Sequence, residues 1–174
     1  ALELDLFPVS RLYGGGIYFP GERTADVLRA WAAWHPGTPE TMVTSFAVMR
    51  MPAIPEVPEP LRGRFLVSVR IAYNGTTADG ERMVEPLRAV APAVLDTVRD
   101  MPYAEVASIH NEPTDPVPYY ERGIMLREFP AQAQDKLIAL VGPDADTDLV
   151  LAELRALGGA WDREPAVPNA VATR

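Results

Sequence analysis

Residues 64–73 read RFLVSVRIAY and contain no break, no glycine and no proline. In an extended chain, successive side chains point to opposite faces. Phe65, Val67, Val69, Ile71 and Tyr73 therefore share one face, and Leu66, Ser68, Arg70 and Ala72 share the other. The first set is uniformly large and apolar, so it belongs under a layer of helices. The second set is mixed, so that face meets water or another surface. This stretch limits the chain to sheet architectures with helices gathered on one side.

The flanking segments supply the partners. RLYGGGIYFP reads as a strand, and its glycines 14–16 indicate a bulge or a close backbone approach. In ERTADVLRAWAAWHPG, the spacing of Val27, Leu28, Trp31 and Trp34 predicts an amphipathic helix. Thr24 is its expected cap, and Pro36-Gly37 its stop. TMVTSFAVMR is a further strand. Pro52, Pro55, Pro58 and Pro60 follow and make an extended connector that cannot join a ladder. Residues 79–90 are expected to be helical, 103–109 to form a short helix, and RGIMLREF to form a strand. PAQAQDKLIALVG reads as a helix, with Pro130 in its first turn and Gly142 past its end. TDLVLAELRAL is the last strand. The fold class is α+β: a mostly antiparallel sheet with helices on one face, built on ferredoxin-like βαββαβ elements.

Bulk properties narrow the function. A chain of 174 residues suggests one domain, or two small ones, and 48% hydrophobic residues suffice for a core. A formal charge of −8 argues against nucleic acid or an anionic membrane as the main partner. With no cysteine, disulfides, thiolate metal sites and cysteine nucleophiles are excluded. His35 and His110 are too far apart in sequence for a local metal motif, and no metal is expected. Leu2, Leu4 and Leu6 alternate with Glu3 and Asp5, so the first residues read as a strand. Both ends look cut from a longer polypeptide.

The candidate site lies on the mixed face. In the last strand, Val150, Ala152, Leu154 and Ala156 suit the helix side. Glu153 and Arg155 then fall on the opposite face with Arg70, with Arg127 or Glu128 joining them in some registers. A few fixed charges among large apolar residues is the composition of a ligand pocket. The plainer alternative is a solvated face with cross-strand ion pairs, each contributing about 0.2–1 kcal/mol. YGGG lacks the spacing of a phosphate loop. His110 in SIHNEP is a loop histidine that would suit acid–base work, although an incidental position is the more common case. Tyr119 and Tyr120 precede a strand, where they pack or present a hydroxyl.

One resemblance extends this reading. ALELDLFPV, YGGGIYFPGE, VLRAWAAW, PEVPEPLRGR, MPYAEV, YYERGIMLREF and AELRALGGAWDR, in this order, resemble the substrate domain of FAD-linked oxidases. These are the berberine-bridge-enzyme-like group of the vanillyl-alcohol oxidase superfamily. The resemblance spans nearly the whole chain and rests on serial order, with LRALGGA as its most specific piece. It implies that residues 1–174 are one substrate-binding domain, inserted between two segments of an FAD-binding domain. It implies oxidation of an alcohol or amine carbon by hydride transfer to FAD, with molecular oxygen as acceptor, in the parent protein. The isolated domain is then inactive and holds no FAD tightly, since the phosphate-binding segment lies elsewhere. Its partners are its own FAD-binding domain and a small-molecule substrate, not nucleic acid or a membrane. A cytoplasmic location of the parent is the working expectation.

Under this resemblance Glu153 is the base or substrate orienter. Arg155, Arg70, Tyr120 and Arg122 are substrate-binding residues. Thr173-Arg174 stands where the family often has His-Arg, so any role of that histidine does not transfer. The reading of a different class is a self-contained α+β ligand-binding or dimerisation module without catalysis. An uncovered sheet face would make the isolated domain self-associate.

Overall fold

The computed structural model describes residues 6, 8–112 and 118–158. The remaining positions include most of the N-terminal alternation as well as Gly159, Trp161, Asp162 and Thr173-Arg174, and those expectations lie outside the described residues. Leu6 is exposed and in no regular element.

Among the described residues, six strands form one sheet. They are β1 (Arg11–Pro20), β2 (Met42–Arg50), β3 (Phe65–Tyr73), β4 (Leu95–Asp96), β5 (Arg99–Pro102) and β6 (Leu151–Arg155). Their order is β4-β1-β3-β2-β6, with β5 also on β1, and every pairing is antiparallel. The path β4-β1-β3-β2 with α1 (Thr24–Trp34) and α2 (Thr77–Arg88) is a βαββαβ arrangement, but its last strand comes from residues 95–96 and not from RGIMLREF as expected. β4 and β5 meet β1 in one continuous register, so they are a single edge strand interrupted at Thr97-Val98.

The helix side follows the alternation of β3. Val67, Val69, Ile71 and Tyr73 join Ile17, Phe19, Phe46, Val27, Leu28, Trp31, Val84 and Leu87 in the main core. Ala152, Leu154 and Ala156 pack against the same core, as their alternation requires, whereas Val150, expected beside them, precedes β6 and is exposed. Buried polar groups on this side are bonded: Trp31 Nε1 donates to Thr44 Oγ1 at 3.1 Å, and Thr44 Oγ1 to the Arg70 carbonyl at 2.9 Å. Trp34 Nε1 reaches the Met83 carbonyl at 2.8 Å, so both tryptophans are structural. α3 (Ala131–Val141) packs beside α1. Arg50 fixes its C-terminal end by donating to the carbonyls of Val141 and Gly142, where a cation is favoured.

Four local expectations are corrected. Thr24 does not cap α1; it is the first helical residue, buried, and its hydroxyl donates to the Gly21 carbonyl. α2 begins at Thr77, capped by Thr76, whose Oγ1 accepts from the Asp79 N–H at 3.1 Å. Pro130 is the N-cap of α3 and so precedes its first turn. RGIMLREF is not a strand: the described residues 118–129 carry no regular structure. Ile124 is 82% exposed, and Met125 and Leu126 are exposed too. A strand needs a neighbour to pair with, and this segment pairs with none of the described strands: β6 lies beside β2, and residues 95–102 lie beside β1.

The face away from the helices is also less open than the alternation suggests. At one end the proline-rich connector lays Val57 and Leu61 over Tyr18, Ala47, Met49 and Leu66. Arg62 closes this connector by donating to the carbonyls of Pro55 and Val57. At the other end a 3₁₀ helix, Tyr103–Ile109, packs Ile109 and Val106 on Leu12, Met101 and Ala72. A polar strip remains between the two covers.

Candidate functional site

The strip is defined by register. Tyr18, Ser68, Ala47 and Glu153 lie opposite one another across β1, β3, β2 and β6, and Gly16, Arg70, Ser45 and Arg155 form the next row. Arg70 and Glu153 are thus separated by a whole strand. The guanidinium crosses β2 over Ser45 and Ala47, where only small side chains leave room.

Arg70 is the centre of the strip. Its side chain is 6% exposed, and Nη1 donates to Glu153 Oε1 at 2.9 Å. Nη2 points to Met49 Sδ at 3.6 Å, a weak acceptor. Glu153, whose side chain is 12% exposed, is shared: Arg155 donates to Oε2 through Nε at 2.9 Å, with Nη2 at 2.8 Å. Arg155 itself is 64% exposed, so the pair at Oε1 is the desolvated one. Burial pushes the Glu153 carboxyl up, but the Ser45 hydroxyl, Arg155 and Arg70 outweigh it and hold the group below its ordinary range. Glu153 is therefore a carboxylate with both oxygens engaged. The Ser45 hydroxyl contributes to that balance, although its oxygen has no partner at full hydrogen-bond geometry.

Two glycines shape the strip. Gly16 has no side chain, and the Tyr18 ring folds back over it: a Cβ there would stand 2.9 Å from Tyr18 Cε2. This brings the Tyr18 hydroxyl beside Arg70. Burial raises the phenol's pKa more than Arg70 lowers it. Gly15 has φ +145, and a Cβ would lie 2.4 Å from the Thr97 carbonyl oxygen. The interruption between β4 and β5 sits directly on that backbone, with Thr97 Oγ1 accepting from the Gly16 N–H at 2.9 Å. The YGGG run is thus a close-approach site in mid-strand, and Thr97, Val98 and Tyr18 fill the space a phosphate would need.

Beside Arg155, a shallow concavity is lined by Ala107, Ser108, His110, Asn111 and Glu112. His110 is brought within electrostatic range of the strip. Burial first, then Arg70 and Arg155, lower its pKa, against Glu153 and Glu112. His35 is lowered too, by burial against Trp31. A histidine whose folded value is depressed lets the unfolded chain take up protons first. Its stabilisation is complete above the unfolded value of 6.5 and is lost as pH falls through the folded value. The urea midpoint is expected to fall between about pH 7.5 and about pH 5.5, and the double variant His35→Gln, His110→Gln to flatten that slope. An unchanged slope in the double variant would remove both histidines from the account.

Of the sequence candidates, Arg70, Glu153 and Arg155 come together. Tyr120 and Arg122 do not join them. Tyr120 is 80% exposed, and Arg122 donates to its hydroxyl on the irregular segment. Arg127 and Glu128 are exposed on the same segment, outside the sheet. Tyr18, Ser45 and Met49 are the neighbours that sequence reasoning missed. The signal for Ser45 was a small polar residue inside TMVTSFAVMR; Tyr18 and Met49 required the register. Compared with known families, the chain matches none, and it matches no curated protein.

Proposed function

We propose that this chain is the substrate-binding domain of an FAD-dependent oxidoreductase that oxidises an alcohol or amine carbon by hydride transfer. The observation that carries the site is the buried Arg70–Glu153 pair, extended by the exposed Arg155, between two apolar covers on the face away from the helices. A desolvated ion pair is weak evidence for stability by itself. Fixed charges in apolar surroundings do serve to orient a ligand. The serial resemblance of seven short motifs to the substrate domain of FAD-linked oxidases supplies the reaction class.

Roles follow from the bonding. A base needs a free lone pair and a pKa near working pH. Both Glu153 oxygens are engaged by arginines and its pKa is held low, so it orients: it holds Arg70 under the sheet face and Arg155 at the rim. The Tyr18 hydroxyl beside Arg70 is a proton donor to a substrate oxygen. Nothing on the strip cradles a phosphate, so FAD is held by a separate segment of the parent protein. When bound, the flavin supplies the hydride acceptor. A longer chain that includes the flanking segments is expected to purify yellow, with absorbance at about 450 nm. Residues 1–174 alone are expected to retain no stoichiometric FAD through gel filtration. A colourless full-length protein would sink this reading.

The alternative, a self-contained binding or dimerisation module, draws on a different surface. Leu149, Val150 and Leu151 are exposed beside the free edge of β6. A colourless parent together with a concentration-independent dimer in sedimentation would favour it.

A further inference from the structure

Three side-chain atoms of the described residues are buried without a hydrogen-bond partner: Ser45 Oγ, Ser68 Oγ and Arg70 Nε. All three belong to the polar strip, on adjacent strands, and their residues are at most 5% exposed. The other buried side-chain nitrogen and oxygen atoms of the described residues are paired, as native proteins require. Arg70 Nε–H can only donate, and both hydroxyls can donate. Whatever completes the set must therefore bring acceptor atoms.

Charge narrows this further. The strip holds two guanidiniums, Arg70 and Arg155, against the single carboxylate of Glu153. His110 is held towards its neutral form. Glu112 stands at the rim, 4.0 Å from His110 and 69% exposed, where solvent screens it. The buried Arg70–Glu153 pair is neutral in sum, and the exposed Arg155 adds a positive charge at the rim, on the approach side. A carboxylate supplies both acceptors and one negative charge, and arginine recognises its planar shape. Arg155 is exposed, lines the concavity with His110 and Asn111, and bonds Glu153, so it marks the side from which such a group approaches.

We propose that Arg70, Ser45 and Ser68 receive a carboxylate group of a small acidic ligand entering past Arg155. This deepens the function proposed above, on which it rests only for calling that ligand the substrate. On that reading the site selects alcohols or amines carrying an acid group and disfavours neutral ones.

The test uses residues 1–174 as they are, with acetate as the probe, acetamide as its neutral isostere and chloride as a generic anion. Titration is followed at the Arg70 Nε–H resonance by proton–nitrogen NMR. Acetate is expected to shift that resonance saturably, while acetamide and chloride leave it in place. Arg70→Lys keeps the charge and removes Nε; it is expected to weaken acetate binding at least about tenfold. The double variant Ser45→Ala, Ser68→Ala keeps the ion pair and is expected to weaken it by a similar factor. Circular dichroism checks that both variants fold. An equal response to chloride, or a resonance that reports one internal water and ignores acetate, would overturn the proposal. A colourless parent would end the oxidase reading and leave acetate binding standing; a yellow parent whose fragment ignores acetate would do the reverse.

Discussion

Glu153→Ala lowers the unfolding free energy by about 3 kcal/mol, the lower end of what breaking a buried ion pair costs. The loss comes less from the bond than from what remains. Arg70 keeps its charge with a side chain 6% exposed, Nε already unpartnered and Nη2 facing only a thioether. Removing the carboxylate leaves that buried guanidinium beside neutral groups only, with no counter-charge. Arg155 loses its partner as well, but it is solvated and adds little. Replacing both partners, Arg70→Met with Glu153→Leu, is expected to restore most of the loss, because two apolar side chains need no desolvated charge. Urea unfolding of the wild type, Arg70→Met, Glu153→Leu and the double variant forms the cycle. A single-variant loss under about 1 kcal/mol would mean that water reaches the pair. Acid acts through the same group. Its folded value lies below the ordinary 4.5, so its contribution is present above that value and is lost as pH falls through the folded one. Glu153→Ala is therefore expected to flatten the acid limb of the stability profile.

Gly15→Ala is expected to cost about 3 kcal/mol or more, since it combines backbone strain of about 1–3 kcal/mol with overpacking of similar size. At φ +145 an L side chain is strained whatever the space, and here the added carbon also meets the Thr97 carbonyl oxygen at 2.4 Å and Val98 Cα at 2.7 Å. Both contacts are backbone, so no side chain can turn aside. Relief requires lifting Thr97-Val98 off β1, which would break the Thr97 Oγ1 and N–H bonds to Gly16 and the edge pairing on either side. Gly37→Ala, with open space at its Cβ, is the control. Equal stability of the two variants in thermal unfolding would show that β1 does not need glycine at position 15.

The alternation of β3 determined the most. Because a one-residue slip would expose every core side chain, RFLVSVRIAY settled which face lies under the helices. The same periodicity in LVLAELRAL placed Ala152 and Leu154 inwards and Glu153 and Arg155 outwards before any neighbour was known. The spacing of Val27, Leu28 and Trp31 did the same for α1. These are properties of a single segment, so the sequence carries them.

What joins segments was not legible. RGIMLREF alternates as well as a real strand, yet it pairs with none of the described strands and leaves Ile124, Met125 and Leu126 exposed. DTVRDMP scarcely alternates, yet it completes the β1 edge. Pairing is decided by which segments the fold brings to an edge, and that depends on the whole chain. The proline connector and the 103–109 helix carry too few apolar residues to announce that they cover the second face, and only packing showed Val57, Leu61 and Ile109 against it. The site divides in the same way. The residue types and the face of Arg70, Glu153 and Arg155 were readable from period two. Their contact, across an intervening strand with Ser45 and Ala47 small enough to allow it, was decided by register alone.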